Sequence, residues 1–234
     1  MSSPAAYRSP RSLATAATVL LVVCGALTVF RLVADSLLYR AAGDLPSGVE
    51  FGDGSAFGPS YGLQMLAYLL YSPALMGSTV AFLGWFHRVR VNAEWLSPHG
   101  HRHSRGWAVG GWFTPVVFLW FPWRIACDIW QAGVRPDASG VRTPLPTTVV
   151  NAWWVSFCLF NVMDAVGSQV TDGARHPDQY QQGVAWLIAS DALQLVAAVL
   201  AVLVVRTVTA MQEERFAEHS AATSYGVYVS AVEG

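Results

Sequence analysis

The sequence predicts an all-α integral membrane helical bundle: four transmembrane helices plus one Trp- and Pro-rich segment that is re-entrant or interfacial. Of 234 residues 53% are hydrophobic and only 12% charged, against about 25% charged in an ordinary soluble domain, so a water-facing surface could not be covered. The apolar residues gather into uncharged runs of the roughly 20 residues that cross about 30 Å of hydrocarbon. All fourteen basic residues are arginine, and most of them fall on one side of a single threading through the bilayer.

Residues 1–12 read as a cytoplasmic tail. Arg8 and Arg11 before the first span, about 13–38, look like the start of a secretory signal. The run continues to Leu38 without a small-residue cleavage site, and Val23 before Cys24 does not suit a lipoprotein box. An uncleaved signal anchor is expected. The stretch Gly52-Asp53-Gly54-Ser55 neither follows a strand nor opens a helix, so it reads as a linker rather than a phosphate cradle. The second span covers about 61–86, with a kink and close-packing point at Pro73 beside Ser72, Gly77 and Ser78. After it, His99, His101 and His103 alternate as a metal site might. Arg102 and Arg105 oppose a cation there, and no carboxylate or cysteine completes the set. A solvated basic loop is expected, and with Arg88 and Arg90 it suits anionic lipid headgroups, at about 1 kcal/mol per basic residue. Further spans fall at about 148–170 and 182–205. They complete a single membrane domain over 13–209, and the polar, acidic residues 210–234 read as a disordered cytoplasmic tail.

Segment 106–130 decides the topology. It is apolar but holds Gly110-Gly111, Pro115 and Pro122, and the prolines forbid one continuous ideal helix. If it does not cross, eleven arginines lie inside and two outside, whereas a crossing leaves seven inside and five outside. The positive-inside rule favours the first, with both termini cytoplasmic and a plasma-membrane location. Trp107, Trp112, Trp120, Trp123 and Trp130 concentrate in this one stretch, and tryptophan prefers the headgroup level. Five transmembrane helices is the alternative.

Between Trp85 and Trp130 the sequence reads W-F-H-R-V-R-x-N-A-E, then S-R-G-W-A-V-G-G-W-F-x-P, then P-W-R-I-A-x-D-I-W, with Trp153-Trp154 later. This resembles bacterial membrane proteins of the family called domain of unknown function 4328. The residues that carry the resemblance are Trp85, Arg88, Arg90, Asn92, Trp107, Trp112, Pro115, Pro122, Asp128, Trp130, Trp153 and Trp154. The likeness runs from the second span to the last and implies a membrane location. It implies no activity and no catalytic residue.

Arg31, Asp164 and Asp191 lie inside spans, where each unpaired charge costs roughly 2.5 to 3.5 kcal/mol at the bilayer centre. Counted from the helix ends, all three fall about 9 to 14 Å below the outer surface, from the rise of about 1.5 Å per residue. They can therefore meet, as a structural ion pair or triad aided by Asn161, Gln169 and Gln194, or as a proton or ion site. An aspartyl hydrolase dyad lacks its G-x-G-D pattern.

A net charge of −1 and the absence of a groove-reading element set nucleic acid aside. Cys24, Cys127 and Cys158 have no metal or disulfide spacing, and no catalytic fingerprint, cofactor motif or metal set is evident. The expected function is a non-enzymatic membrane component that meets the bilayer, anionic headgroups or another membrane protein through a Trp- and Arg-rich cytoplasmic face. The alternative is a small transporter or channel using Arg31, Asp164 and Asp191.

Overall fold

The computed structural model describes residues 7–46, 57–98, 101–137 and 140–232, the side chains of 222–232 excepted. Lipid offers the backbone no hydrogen-bond partner, so a chain this apolar must close its N–H and C=O groups within helices. The described residues accordingly form helices and turns, and no strand. The helices are α1 Arg11–Gly43, α2 Pro59–Leu96, α3 Trp107–Phe113, α4 Phe121–Ala132, α5 Thr148–Gly173 and α6 Pro177–Val232. Proline opens α2 and α6, where its missing N–H is not needed, and Asp178 stands at the positive end of α6. Helices α1, α2, α5 and α6 are each long and apolar enough to cross a membrane. The protein is a multi-pass membrane protein. With 7 and 12 residues, α3 and α4 are too short to cross.

The sequence marks no boundary inside 13–209, but the contacts cluster into two compact units. Unit 1 comprises Met1–Thr18, Val80–Val150 and Leu203–Gly234, and unit 2 comprises Val19–Thr79 and Asn151–Val202.

Unit 2 has an inverted distribution of polarity. Its exposed residues include Val22, Val29, Leu69, Met76, Val162 and Val199, while Thr28, Arg31, Asp35, Gln64, Ser190, Asp191 and Gln194 are buried. Such an arrangement suits a hydrocarbon solvent. Hydroxyls that lack a distant partner bond back one turn, as Thr28 does to the Cys24 carbonyl (2.9 Å) and Ser72 to that of Tyr68 (2.8 Å). Helices α5 and α6 touch backbone to backbone, because a Cβ on Gly183 would come within 2.8 Å of the Thr171 nitrogen and one on Gly167 within 3.0 Å of the Leu187 nitrogen. Glycine at both points permits that approach.

Unit 1 corrects the expectation of a disordered tail over 210–234, since α6 continues unbroken to Val232. The acidic residues there have partners far away in sequence. Glu213 pairs with Arg11 (3.0 Å) and Glu218 with Arg135 (2.8 Å), and Gln212 is fully buried. Within residues 7–12, read as a tail, Pro10 is buried and the Tyr7 ring stacks on Phe216 at 4.0 Å between centroids.

The helix break expected in 106–130 is present. Between α3 and α4 the Val117 N–H donates to the Pro115 carbonyl (2.7 Å), closing a γ-turn around Val116, whose φ is 66° and ψ −52°. That conformation is rare and strained, more so for a β-branched residue. A short 3-10 turn, Val117–Leu119, and Pro122 then start α4. A Cβ on Gly111 would lie 3.2 Å from that of Phe121, so glycine lets α3 and α4 fold closely together.

Candidate functional site

Two sets of residues could carry function, one in each unit. In unit 2, α1 presents Arg31 and Asp35 one turn apart, α2 contributes Gln64, Tyr68 and Tyr71, α5 contributes Asp164 and α6 contributes Asp191 and Gln194. The Arg31 Nη2 donates to Asp164 Oδ1 (3.1 Å) and to the Tyr68 hydroxyl (3.1 Å), and lies 3.0 Å from Asp191 Oδ1. The guanidinium carbon sits 4.3 Å from the Tyr68 ring centre and 4.7 Å from that of Tyr71, adding cation–π attraction. Gln64 Nε2 donates to Asp35 Oδ1 (2.9 Å), and Gln194 donates to the Tyr71 hydroxyl. The close α5–α6 contact at Gly167 and Gly183 brings the two helices that bear Asp164 and Asp191 together.

Arg31, Asp164 and Asp191 are thus joined, as equal depth in the bilayer implied. Asp35 was missed by the sequence reading. It stands four residues after Arg31, the helical spacing that puts an acid beside a base, and it is fully buried, as is Asp191. Asp164 keeps 41% of its side chain exposed. Neither oxygen of Asp191, nor Asp35 Oδ2, accepts a hydrogen bond within the described residues.

The motif residues fall in unit 1, apart from Trp153 and Trp154, which pack edge to face in unit 2 at 5.7 Å. Most of them build the interior rather than an open face. Trp85 is buried, and its indole N–H donates to Thr209 Oγ1 (3.0 Å). Arg90, 1% exposed, pairs with Glu94 (3.0 Å) and donates to the His103 carbonyl. Asn92 donates to the Arg8 carbonyl (2.9 Å) and to Gln212 Oε1 (3.2 Å), and accepts the Arg8 N–H (3.2 Å). The Trp112 ring sets its edge against Phe82 and Phe86, Pro122 and Trp130 are buried, and Pro115 shapes the γ-turn. Arg88 is half-buried, and Asp128 accepts the Arg102 N–H at a long 3.5 Å. Trp107 is partly exposed and meets Phe121 edge to face at 5.0 Å.

The turn between α3 and α4 is among the open parts of unit 1, with Val80, Val141, Leu145 and Leu203 also exposed elsewhere. Phe113, Val116 and Leu119 are well exposed, with Trp107 and Trp120 beside them. Arg102 and Arg124 are exposed on the same segment.

A scan of family models matches the domain of unknown function DUF4328 over residues 53–210. The chain belongs to this family. The match spans more than half of the chain and includes the W-F-x-P core, Asp164 and Asp191, while Arg31 and Asp35 precede it. No curated protein and no solved structure matches the sequence.

Of the alternating histidines, His99 lies outside the described residues. Burial, then the field of Arg90, holds the His101 imidazole below its usual pKa, and burial lowers that of His103. Among the described residues no group of His, Cys, Asp and Glu could hold a metal ion.

Proposed function

We propose that the chain is a non-enzymatic component of the cell membrane that engages anionic lipid headgroups through unit 1, with both termini in the cytoplasm. The carrying observation is the turn between α3 and α4, where exposed Phe113, Val116 and Leu119 lie on the same segment as Trp107, Trp120, Arg102 and Arg124. Apolar and Trp side chains bury into the acyl and headgroup boundary, and arginines beside them meet phosphate. This supports an interfacial or re-entrant segment 106–130. The charge distribution agrees with it. Unit 1 holds eleven arginines against seven acidic residues, and these are the same eleven that the positive-inside rule assigns to the cytoplasm. The buried arginine Arg90 belongs to the scaffold, so headgroup contact falls to the exposed pair.

The test is native mass spectrometry of the purified protein from bilayers containing phosphatidylcholine and phosphatidylglycerol. Retained phosphatidylglycerol should exceed retained phosphatidylcholine, and Arg102→Ala with Arg124→Ala should reduce it, by about fivefold for each arginine if each contributes about 1 kcal/mol. Equal retention of both lipids would reject the headgroup reading, and a co-purifying membrane protein bound at this turn would replace it. The second reading, a small transporter or channel, draws its support from buried Arg31 and Asp191 and partly exposed Asp164. Proton flux in proteoliposomes that Asp164→Asn abolishes would favour it.

A further inference from the structure

We infer that unit 2 carries a proton-binding site within the membrane, formed by the carboxyl groups of Asp35 and Asp191 and held in place by the Arg31–Asp164 pair. The argument begins with charge. One guanidinium meets two carboxyl groups, Asp164 and Asp191, and a third, Asp35, stands one turn along α1 within its field; with all three ionised the cluster would carry two uncompensated negative charges, and two of the carboxyls are fully buried. The low-dielectric surroundings of a membrane helix bundle do not tolerate such an excess.

Hydrogen bonding identifies where the compensation belongs. Asp164 takes the directed bond from Arg31 and keeps part of its surface open. Asp191 lies 3.0 Å from the same nitrogen, but neither of its oxygens is in hydrogen-bond geometry. Asp35 receives one bond, from the Gln64 amide, and its second oxygen has none. The other polar or charged side chains that interact with these carboxyls include Arg31, Asp164, Tyr68 from α2 and Tyr180 from α6, while Tyr71, bonded by Gln194, faces Arg31. Tyr68 already accepts from Arg31, and Tyr71 accepts from Gln194.

The missing positive charge has the size of a proton. A sodium or calcium ion needs a shell of about six oxygens, whereas Gln64 offers Asp35 its N–H rather than its oxygen and a guanidinium occupies the side towards Asp164. Among the described residues no metal-holding group exists. A proton asks for one carboxyl oxygen, turns that carboxyl into a donor and removes one negative charge from the cluster. It is taken from hydronium in the surrounding water: one O–H bond of the hydronium breaks, leaving water, as one O–H bond forms on the carboxylate.

Infrared spectroscopy of the full chain in lipid vesicles at neutral pH tests the site directly. The expected result is the C=O stretch of a protonated carboxyl, shifted in heavy water, lost in Asp35→Asn or in Asp191→Asn and retained in Asp164→Asn. If Asp191→Asn does not reconstitute, Asp191→Glu serves, since a glutamic acid band moves in frequency when it is the proton carrier. No protonated-carboxyl band in the unmodified protein would overturn the inference, as would a band that neither Asp35 nor Asp191 substitutions change. Two ionised carboxylates holding a metal cation would give the first of those results.

Discussion

Unit 1 carries a net charge of +4 and unit 2 a net charge of −5, counted over their full sequences. The two excesses are handled in opposite ways. Beside the pair of buried Arg90 with Glu94, unit 1 holds ion pairs open to solvent: Arg11, 75% exposed, meets Glu213, and Arg135 meets Glu214 and Glu218. Water and salt screen such pairs, so each adds little to stability. In unit 2 Arg31, Asp35 and Asp191 are buried, and Asp164 and Asp191 share the single guanidinium. A charge there is costly to abandon, and the acid excess has to be neutralised on the spot. Sign and number of charges therefore say less than depth does.

The largest effect that this contrast predicts is at Arg31. Removing it leaves three carboxyls without a cation, and Arg31→Gln should lower stability in detergent by about 3–5 kcal/mol, the usual cost of breaking a buried pair. Much of that loss should return when Asp191→Asn or Asp164→Asn is added, whereas Arg11→Gln in unit 1 should change the melting temperature little. A double-mutant cycle with no coupling between Arg31 and either aspartate would break the comparison. The next effect concerns backbone contact. Gly183→Ala must push the Thr171 backbone away and should cost about 1–3 kcal/mol, while a Cβ on Gly106 in unit 1 meets nothing within 4 Å. Gly106→Ala should unfold at the parental temperature or slightly above it. Equal losses at both glycines would show that the α5–α6 approach is not the tight point.

Smaller effects sharpen the picture of unit 1. Val116→Gly relieves the positive φ at the γ-turn and should raise stability in detergent by about 1 kcal/mol, measured as the shift in thermal unfolding. The same change removes an apolar side chain from the turn, so lipid retention should fall even as stability rises. The shallowest dependence is on pH. Burial depresses the folded-state pKa of His101 and His103, so the unfolded chain takes up protons at a pH where the folded chain still resists them. Their contribution is complete above the ordinary imidazole value of about 6.5 and is lost as pH falls below it. Melting temperatures from pH 8 to pH 5 should decline, and His101→Gln should flatten the decline more than His103→Gln.

The four spans were legible because lipid admits helices only, and the break after Phe113 because Pro115 supplies no donor. The meeting of Arg31, Asp164 and Asp191 was legible from depth. Asp35 was overlooked although its spacing from Arg31 signals a shared helix face. The helical continuation past residue 210 was hidden for a different reason: Glu213 and Glu218 look solvating in sequence, and their partners Arg11 and Arg135 come from distant segments. Arg90 and Asn92 illustrate the same limit. Arg90 reads as part of a basic surface and Asn92 only as a motif residue, yet both are interior, because hydrogen-bond partners that make burial tolerable come from Arg8, Gln212 and the His103 carbonyl.

The carboxamide of Asn92 also sets an order of assembly. It grips both peptide groups of Arg8, just ahead of α1, and donates to Gln212 in α6. The Gln212 amide in turn closes on the Val89 carbonyl (2.9 Å). These bonds cannot coexist until translation has passed residue 212, so the clasp that joins Arg8, Asn92 and Gln212 closes only after all four spans have been synthesised. A chain that stops short of residue 212 lacks both the Gln212 acceptor for Asn92 and the Gln212 donor for the Val89 carbonyl.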